Sequence, residues 1–435
     1  MNAAVRWPYA AAMTLTRAAS RLAPATGGKV ARSLRARQEL LANLQRRASA
    51  VRDTSRPLLW LHAPSVGEGL QARPIAHAWR EVHPDWQIAY SFYSPSAERF
   101  AESVTADITS YLPFDTARDM DAMLDVLRPS LLVFAKLDVW PVLVERAVAR
   151  GIPVAMISAT LSAGSGRSGW WSRQLLHDAY ASLRAVGAID SINADRLVAL
   201  GVSRAAVRVT GDTRFDQVAA RAAAVDRSAP LLAALASSRP TLVAGSTWPA
   251  DEAVLLPAWS AFRHAAGALR PRLIIAPHEP VAAHCDAIHH WAMQADCSLV
   301  RLSSLDAADA VSDADVVLVD RVGVLGDLYA LAQVAYVGGG FHRAGLHSVI
   351  EPAAFGVPVL FGPGHHMSRE AGLLLDVHGA VSVRQRDDLT QQLGAWLMQP
   401  DERAVAGAAA RALVERERGA TERSLHLLES LVNAP

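Results

Sequence analysis

Three consecutive glycines, a histidine and a glutamate lie between two apolar runs in the stretch VAYVGGGFHRAGLHSVIEPAAFGVPVLFG, residues 334–362. Glycines at the carboxyl end of a parallel strand let a ligand approach the backbone, and a following helix offers free N–H groups to an anion. Glu351 and Pro352 are expected in the first turn of that helix, where both are favoured. The loop matches neither G-x-x-x-x-G-K-S/T nor G-x-G-x-x-G. It therefore predicts either a site for an anion or sugar nucleotide or a tight turn that binds nothing.

A carboxylate lies at a comparable position after the first predicted strand. In LHAPSVGEGLQARPIAHAWREV, Ile75, Trp79 and Val82 form the apolar stripe of a helix that has Glu68 at its entrance. Glu68 is a candidate general base facing a cleft, because apolar walls raise the basicity of a carboxylate. The alternative is a glutamate that only offsets the helix dipole, and position alone does not decide between the two.

Lys136 and Lys29 are the only lysines in a chain that uses arginine for nearly every positive charge. Lys136 comes directly after a predicted buried strand, in LLVFAKLDVWPVL. Either its compact ammonium group or the neighbouring Asp138 could hold a polar or phosphorylated ligand. A local ion pair between Lys136 and Asp138 at the strand end is the alternative.

Three further loops place polar residues after predicted strands. Arg214, in VTGDTRFDQV, suits bidentate recognition of a carboxylate or phosphate. Ser246 and Thr247, in LVAGSTWPADE, offer hydroxyl and amide groups to a phosphate, although the PADE segment also makes a good helix start. The loop IIAPHEP places His278 and Glu279 at another strand end. Each loop is a weak signal alone, but together they lie at corresponding ends of strands in both halves of the chain.

The composition limits the class of protein. A chain of 435 residues with 51% hydrophobic content predicts two domains, and a formal net charge of +1 gives no signal for nucleic-acid binding. Cys285 and Cys297 are the only cysteines, which fits a reducing compartment. The adjacent histidines at 289–290 and 365–366 lack the spacing of known metal sites, so no metal is expected.

Short apolar, β-branched runs alternate with helix-length segments, the pattern of α/β folds with parallel sheets. The first series of predicted strands comprises residues 58–63, 87–92, 131–135, 153–159, 185–190 and 207–211. The second comprises residues 241–246, 272–277, 298–302, 315–320, 334–337, 358–361 and 380–383. We expect Rossmann-like domains at residues 51–218 and 241–435, the latter with the terminal helices, joined by a linker at 219–240. Such halves face each other across a cleft at the carboxyl ends of their strands.

Residues 1–50 form a basic leader with nine arginines and lysines against the single acid Glu39. Arg17 and Arg21 interrupt its apolar stretch, residues 9–23, so the stretch is too short and too charged to span a membrane. We interpret it as a helix that lies on an anionic membrane surface. A signal peptide and a plain soluble helix are the alternatives.

The ordered motifs resemble the 3-deoxy-D-manno-octulosonic acid (Kdo) transferases of lipopolysaccharide assembly, over about residues 55–400. The matching stretches are LHAPSVGEG, SFYSPSAERF, ADITSYLPFDT, KLDVWPVL, ISATLSAGS, TGDTRFDQV, AGSTWPADE, IIAPHEP, VDRVGVLGDLY and YVGGGFHRAGLHSVIEPAAFGVPVLFGP. The resemblance implies a GT-B glycosyltransferase at the cytoplasmic face of the inner membrane, with an N-terminal helix that contacts the membrane. It would move Kdo from CMP-Kdo to a lipid A precursor with inversion, without metal or cofactor.

The resemblance also assigns residues. Glu68 matches the proposed catalytic base. The acceptor-side residues would be Ser65, Gly67, Lys136 and Asp138. The donor-binding residues would be Arg214, Ser246, Thr247, His278, Glu279, Gly338, Gly339, Gly340, His347, Ser348 and Glu351.

This chain departs from the family pattern at three places. The family often has Asn at the position of Ser348, Glu at that of Asp138, and an Arg-His pair where this chain has His278-Glu279. The differences bear on donor affinity and acceptor detail more than on reaction type. Alternatives are a GT-B transferase for another nucleotide sugar and a scaffold that keeps the fold without turnover.

Overall fold

The computed structural model describes residues 3–22, 24, 26, 28–162, 164–305 and 313–432. Residues 1, 2, 23, 25 and 27 of the predicted leader, and 306–312 and 433–435 of the predicted second domain, lie outside the described residues. The chain divides into two compact units, Met1–Gln217 with Glu417–Pro435 and Val218–Arg416. Each unit contains a seven-stranded parallel sheet, so the predicted α/β class with two Rossmann-like domains is confirmed.

The first sheet has the strand order β3-β2-β1-β4-β5-β6-β7. Its strands are β1 (Leu58–His62), β2 (Gln87–Phe92), β3 (Ile108–Tyr111), β4 (Leu131–Ala135), β5 (Val154–Ala159), β6 (Ala185–Ala188) and β7 (Val207–Val209). All six predicted strands are present. The sequence analysis missed β3, because its two central residues, Thr109 and Ser110, are polar and it lies at the sheet edge.

The second sheet has the order β10-β11-β9-β8-β12-β13-β14. Its strands are β8 (Thr241–Thr247), β9 (Arg272–Pro277), β10 (Leu299–Arg301), β11 (Val316–Leu318), β12 (Val334–Val337), β13 (Val359–Phe361) and β14 (Ala380–Ser382). All seven were predicted. Most of these strands are fully buried, which explains why they read as continuous apolar runs without alternation.

Helices follow most strands, as right-handed parallel crossovers require. Those before the second sheet are α1 (Ala3–Ser20), α2 (Lys29–Arg35), α3 (Leu40–Val51), α4 (Val66–Val82), α5 (Glu98–Ala101), α6 (Ala117–Leu127), α7 (Pro141–Ala149), α8 (Trp170–Ala181), α9 (Ser191–Ala199), α10 (Thr213–Ala224) and α11 (Pro230–Ala234). The later ones are α12 (Pro249–Ala266), α13 (Ala282–Gln294), α14 (Leu325–Leu328), α15 (Ile350–Ala354), α16 (Arg369–Asp376), α17 (Arg386–Met398), α18 (Pro400–Glu417) and α19 (Ala420–Val432). The predicted stripe of α4 is correct for Ile75 and Trp79, which are buried, whereas Val82 is exposed at its last residue.

The structure corrects the predicted placement of the terminal helices. Helix α19 belongs to the first unit, although the sequence analysis assigned it to the second domain. The Asp216 carboxylate accepts hydrogen bonds from the backbone N–H groups of Gly419 and Thr421, at 2.6 and 2.7 Å. Leu425 and Leu428 then bury against the core of the first unit. Nothing local in the sequence identifies which sheet such an amphipathic helix covers.

The predicted linker at residues 219–240 is also different in the structure. Half of it is helical, in the end of α10 and in α11, and all of it belongs to the second unit, which begins at Val218. Leu232 and Leu235 are buried in a cluster with Val243 and Ile274. The alanine- and serine-rich composition of this segment gave no indication of the packing.

The basic leader is part of the first unit. Tyr9 Oη donates to Asp115 Oδ2 at 2.8 Å, and Arg17 Nε forms an ion pair with Asp119 Oδ2 at 2.7 Å. Arg6 pairs with Glu145 at 2.5 Å. These contacts fix one face of α1. Among the described residues, no helix has both the length and the apolar character needed to cross a bilayer.

Candidate active site

Glu68 lies in the first turn of α4, directly after the central strand β1. Its side chain is only 15% exposed. Lys136 Nζ donates to Glu68 Oε1 at 3.1 Å, and Ser65 Oγ donates to Oε2. Gly67 is exposed beside them, and an added Cβ would meet only Ser65 Oγ, at 3.8 Å. Four predicted residues from two strand ends therefore meet at one point that has open space next to it.

The pKa of Glu68 is lower than its ordinary value, so the expectation of raised basicity is wrong. Burial raises the pKa of this carboxyl, but the charge of Lys136 and the hydrogen bonds from Ser65 and Lys136 lower it by more. Glu68 is therefore a carboxylate at neutral pH. The residues near Glu68 in the sequence could not reveal a lysine 68 residues away that reaches the carboxylate.

The backbone of Lys136 adopts an uncommon conformation where β4 ends. Lys136 has a φ of 69°, in the left-handed region, which costs a non-glycine residue about 1 kcal/mol. Its N–H donates to Ile157 O at 2.9 Å, so the turn is anchored to β5. Asp138 forms an ion pair with Arg167 instead. The alternative of a local Lys136–Asp138 ion pair is therefore wrong, and Asp138 lies in a separate ion pair of the same unit.

Arg214 lies in the first unit, at the start of α10. Its guanidinium group contacts the buried carboxylate of Asp212, with Nη2 and Nε 2.6 and 3.0 Å from Oδ2. Burial raises the pKa of Asp212, but the charge and hydrogen bonds of Arg214 lower it overall. Gln71 Nε2 donates to the same carboxylate at 3.3 Å. Asp212 therefore fixes the orientation of the one donor-side candidate that the structure assigns to the first unit.

In the second unit, the three glycines after β12 are required by the packing of the protein's own backbone. A Cβ on Gly338 would lie 2.2 Å from Ser246 O, and one on Gly340 would lie 2.5 Å from Gly362 N. Gly339 has a φ of +95°, which other residues rarely adopt. The glycines thus allow the loops after β8, β12 and β13 to pack closely against one another. The sequence had instead predicted that they let a ligand approach the backbone.

Asp251 connects two of these loops, and sequence reasoning saw it only as part of a helix start. Its fully buried carboxylate accepts hydrogen bonds from the N–H groups of Gly339 at 2.8 Å and Trp248 at 3.0 Å. Phe341 N and Tyr336 Oη donate to the other oxygen, each at 3.2 Å. Four donors therefore converge on the Asp251 side chain, one from the loop after β8 and three from β12 and the loop after it.

Thr247 is buried, and its hydroxyl donates to Glu252 Oε1 at 2.7 Å. His284 Nε2 lies 2.9 Å from both oxygens of Glu252, and its Nδ1 lies 3.2 Å from the carbonyl oxygen of Glu279. The hydroxyl of Thr247 is thus engaged inside the protein, as the helix-start alternative implied. Ser246 is partly exposed beside it, with a φ of 54°.

An indole ring brings the predicted histidines together. Trp248 stacks on His342 with ring centroids 4.2 Å apart and on His278 at 4.6 Å. Its Nε1 donates to His347 Nε2 at 3.1 Å. Burial, with smaller contributions from His278 and His342, lowers the pKa of His347 to about 4. His347 is therefore a neutral hydrogen-bond acceptor at pH 7, and Trp248 and His342 join the candidate residues although the sequence did not predict them.

Glu351 lies in the first turn of α15, as predicted. Burial raises the pKa of its carboxyl, while the charge of Arg221 and a hydrogen bond with Ser348 oppose that rise without cancelling it. The predicted donor-side residues Ser348 and Glu351 are therefore in contact. Among the described residues, no group of three or more His, Cys, Asp or Glu side chains is arranged to hold a metal ion.

The fold and the position of the candidate loops define a two-domain protein of the GT-B class. Residues 35–217 match the family model described as 3-deoxy-D-manno-octulosonic-acid transferase. The 3-deoxy-D-manno-octulosonic acid transferase of Bordetella pertussis is 30% identical over 381 residues, covering 85% of this chain and 86% of the relative. That of Haemophilus influenzae is 24% identical over 384 residues, with the same coverage, 85% and 86%. The chain belongs to the Kdo transferase family and is an enzyme.

Solved structures support the fold alone. The UDP-GlcNAc 2-epimerase of Neisseria meningitidis, bound to UDP-GlcNAc, aligns with a TM-score of 0.58 at 12% identity, over 86% of this chain and all of that one. The UDP-GlcNAc 2-epimerase of Methanocaldococcus jannaschii aligns with a TM-score of 0.55 at 14% identity, over 83% and 99%. The arrangement of strands and helices within each unit is thus one that these epimerases share.

Proposed function

We propose that the chain transfers Kdo from CMP-Kdo to a sugar hydroxyl of a lipid A precursor, with inversion and without a metal ion. The observation that carries the proposal is the Glu68 carboxylate, which Lys136 and Ser65 hold ionised beside the exposed Gly67. Membership of the Kdo transferase family supports the substrate class. The direct test is acceptor-dependent release of CMP from CMP-Kdo.

In the proposed reaction, Glu68 accepts the proton of the acceptor hydroxyl as that oxygen attacks the anomeric carbon of Kdo. The new carbon–oxygen bond forms as the bond from that carbon to the phosphate oxygen of CMP breaks, and CMP leaves with the bonding electrons. The low pKa makes Glu68 a weaker base but keeps all of it in the active form at neutral pH. Lys136 and Ser65 act as positioning residues, because both donate to the carboxylate.

The donor-side assignment keeps the residues that the resemblance implied. In the second unit, Ser246, His278, Glu279, His347, Ser348 and Glu351 would contact CMP-Kdo, and Asp251 and the three glycines would hold their loops in place. Neutral His347 suits hydrogen bonding more than charge neutralisation. Arg214, oriented by Asp212, would then supply positive charge to the phosphate or carboxylate of the donor. Because CMP carries a single phosphate, its departure requires no cation besides Arg214 in this scheme.

Lys136 tests the electrostatic part of this scheme. Glu68 must be ionised to accept a proton, so activity is lost as pH falls through its pKa. Replacing Lys136 with Met removes the interactions that lower this pKa and leaves the burial that raises it. We therefore expect the acidic limb of the kcat/KM profile to move to higher pH. Lys136→Arg, which keeps the charge, should leave the limb near its wild-type position, and an unchanged profile for Lys136→Met would contradict the scheme.

We also propose that the leader holds the enzyme on the anionic, cytoplasmic face of the inner membrane. Arg6, Tyr9 and Arg17 bind α1 to the first unit along one face of the helix. On the opposite face, Trp7 and Leu15 are 79% and 70% exposed. A helix with apolar side chains on its outer face fits the interface between lipid headgroups and acyl chains.

The leader proposal predicts a measurable loss of membrane binding. Substituting Trp7 and Leu15 with Ser should lower partition onto vesicles containing phosphatidylglycerol by roughly a hundredfold or more, because each side chain contributes about 1.5–3 kcal/mol when buried. Val405→Ser, at another exposed apolar side chain, is the control. Equal sedimentation of the double variant and this control would contradict the proposal.

A further inference from the structure

A basic groove runs along the edge of the first sheet, between strand β7 and helix α19. We call it the edge groove and define it by Arg184, Arg208, Thr210, Arg423, His426 and Ser430, which line a cavity of about 490 Å³. Strand β7 is four strands away from β1 in the sheet order, which corresponds to about 19 Å. The edge groove is therefore separate from Glu68.

The lining of the edge groove is basic. Among the described residues that line it, none is acidic. Arg208 Nη1 donates to the carbonyl oxygens of Ala205 and Val207, and Arg423 Nε donates to Thr210 O at 2.9 Å. Carbonyl groups orient these guanidinium groups but do not neutralise them. The side chains of Arg184 and His426 make no hydrogen bond to any described residue.

The main chain adds a donor to the edge groove. Thr210 N–H is bonded to Ala188 O on β6, at 2.9 Å. Because successive residues of a strand turn their N–H groups to opposite sides, the N–H of Val209 faces away from β6, toward the open edge. Three arginines, a histidine and an outward backbone N–H are the groups that bind phosphate in proteins. Small apolar residues, Ala185 and Ala206, complete the lining.

We propose that the edge groove binds a phosphate-bearing ligand, at a site distinct from the one that carries out transfer. Its volume leaves room for an organic group next to a phosphate, so the ligand we propose is a phosphate ester. The ligand is either a phospholipid headgroup or a soluble phosphate ester. The competing explanation is that Arg184 and Arg208 only guard an exposed edge strand against pairing with another chain.

The first arm of the test uses inorganic phosphate and the full chain. Phosphate should raise the midpoint of thermal unfolding, and the variant Arg184→Gln/Arg208→Gln should need at least roughly tenfold more phosphate for the same rise. Because phosphate also stabilises proteins without binding a site, the response is compared with that of Arg99→Gln/Arg128→Gln, which removes two arginines elsewhere in the first unit. An equal response of both variants would overturn the proposal.

The second arm identifies the source of the phosphate. Vesicles of phosphatidylglycerol and phosphatidylcholine are sedimented with each protein. If Arg184→Gln/Arg208→Gln binds phosphatidylglycerol vesicles less well than Arg99→Gln/Arg128→Gln, the ligand is a lipid headgroup. If the two variants sediment equally but the first responds more weakly to phosphate, the ligand is a soluble ester. Both arms measure binding rather than turnover, so the result does not depend on the proposed transfer reaction.

Discussion

Glu68→Gln is expected to lower kcat by about 10³-fold, within the range for loss of a general base, while KM for CMP-Kdo stays within about twofold. Glutamine has the size of glutamate and can still accept a hydrogen bond from Lys136, but it cannot accept a proton. Because the interaction that is lost exists only in the transition state, the rate should fall without a matching change in substrate binding. Initial rates of CMP release measure both parameters.

The control for this variant is Glu102→Gln, at an exposed glutamate in the same unit. It should retain wild-type kcat. A Glu68→Gln enzyme with kcat within about tenfold of wild type would show that another group takes the proton. Since the glutamine variant keeps the local packing, its thermal midpoint should match that of the wild type, which separates lost chemistry from lost folding.

Asp251→Asn should destabilise the protein by about 2–6 kcal/mol, because two buried donors lose their acceptor at about 1–3 kcal/mol each. The four donors at Trp248, Tyr336, Gly339 and Phe341 converge on both carboxylate oxygens. An amide has only one oxygen, so its NH2 group must face two of these donors. Urea unfolding measures the loss of stability.

The same substitution should also weaken donor binding, because Asp251 holds the loops after β8 and β12 in one arrangement. The matched control is Asp387→Asn on α17, whose side chain is exposed, and it should change the free energy of unfolding by no more than about 0.5 kcal/mol. A change below about 1 kcal/mol for Asp251→Asn would mean that water or loop movement satisfies these donors. The loop-anchoring role would then be wrong.

The two sheets were largely predictable because their strands are buried and apolar. Thirteen of the fourteen strands are visible as apolar runs, and the exception, β3, carries Thr109 and Ser110 at its centre. Parallel topology then puts the loops after the strands at one edge of each sheet, which made the positions of Glu68, Ser246 and His347 at these strand ends predictable. The placement of α19 was not predictable, because its Asp216 anchor lies about 200 residues earlier in the chain.

What the sequence could not provide was the set of partners within each site. Lys136 reverses the expected direction of the pKa of Glu68, and the buried carboxylate of Asp251 binds the amides of the glycine loop. Both effects depend on contacts between segments that are far apart in the chain. A tryptophan next to a predicted helix start gave no local signal that Trp248 would pack against three histidines.

The most direct test of the account is the transfer reaction itself. Wild-type protein is incubated with freshly generated CMP-Kdo, with and without a tetraacyl lipid A precursor, and both CMP and the lipid product are measured. We expect CMP release that depends on the acceptor, together with a lipid whose mass increases by Kdo residues. Binding of CMP-Kdo without any Kdo-bearing lipid would contradict the proposed function and favour a scaffold, and transfer only from another nucleotide sugar would contradict the assigned donor.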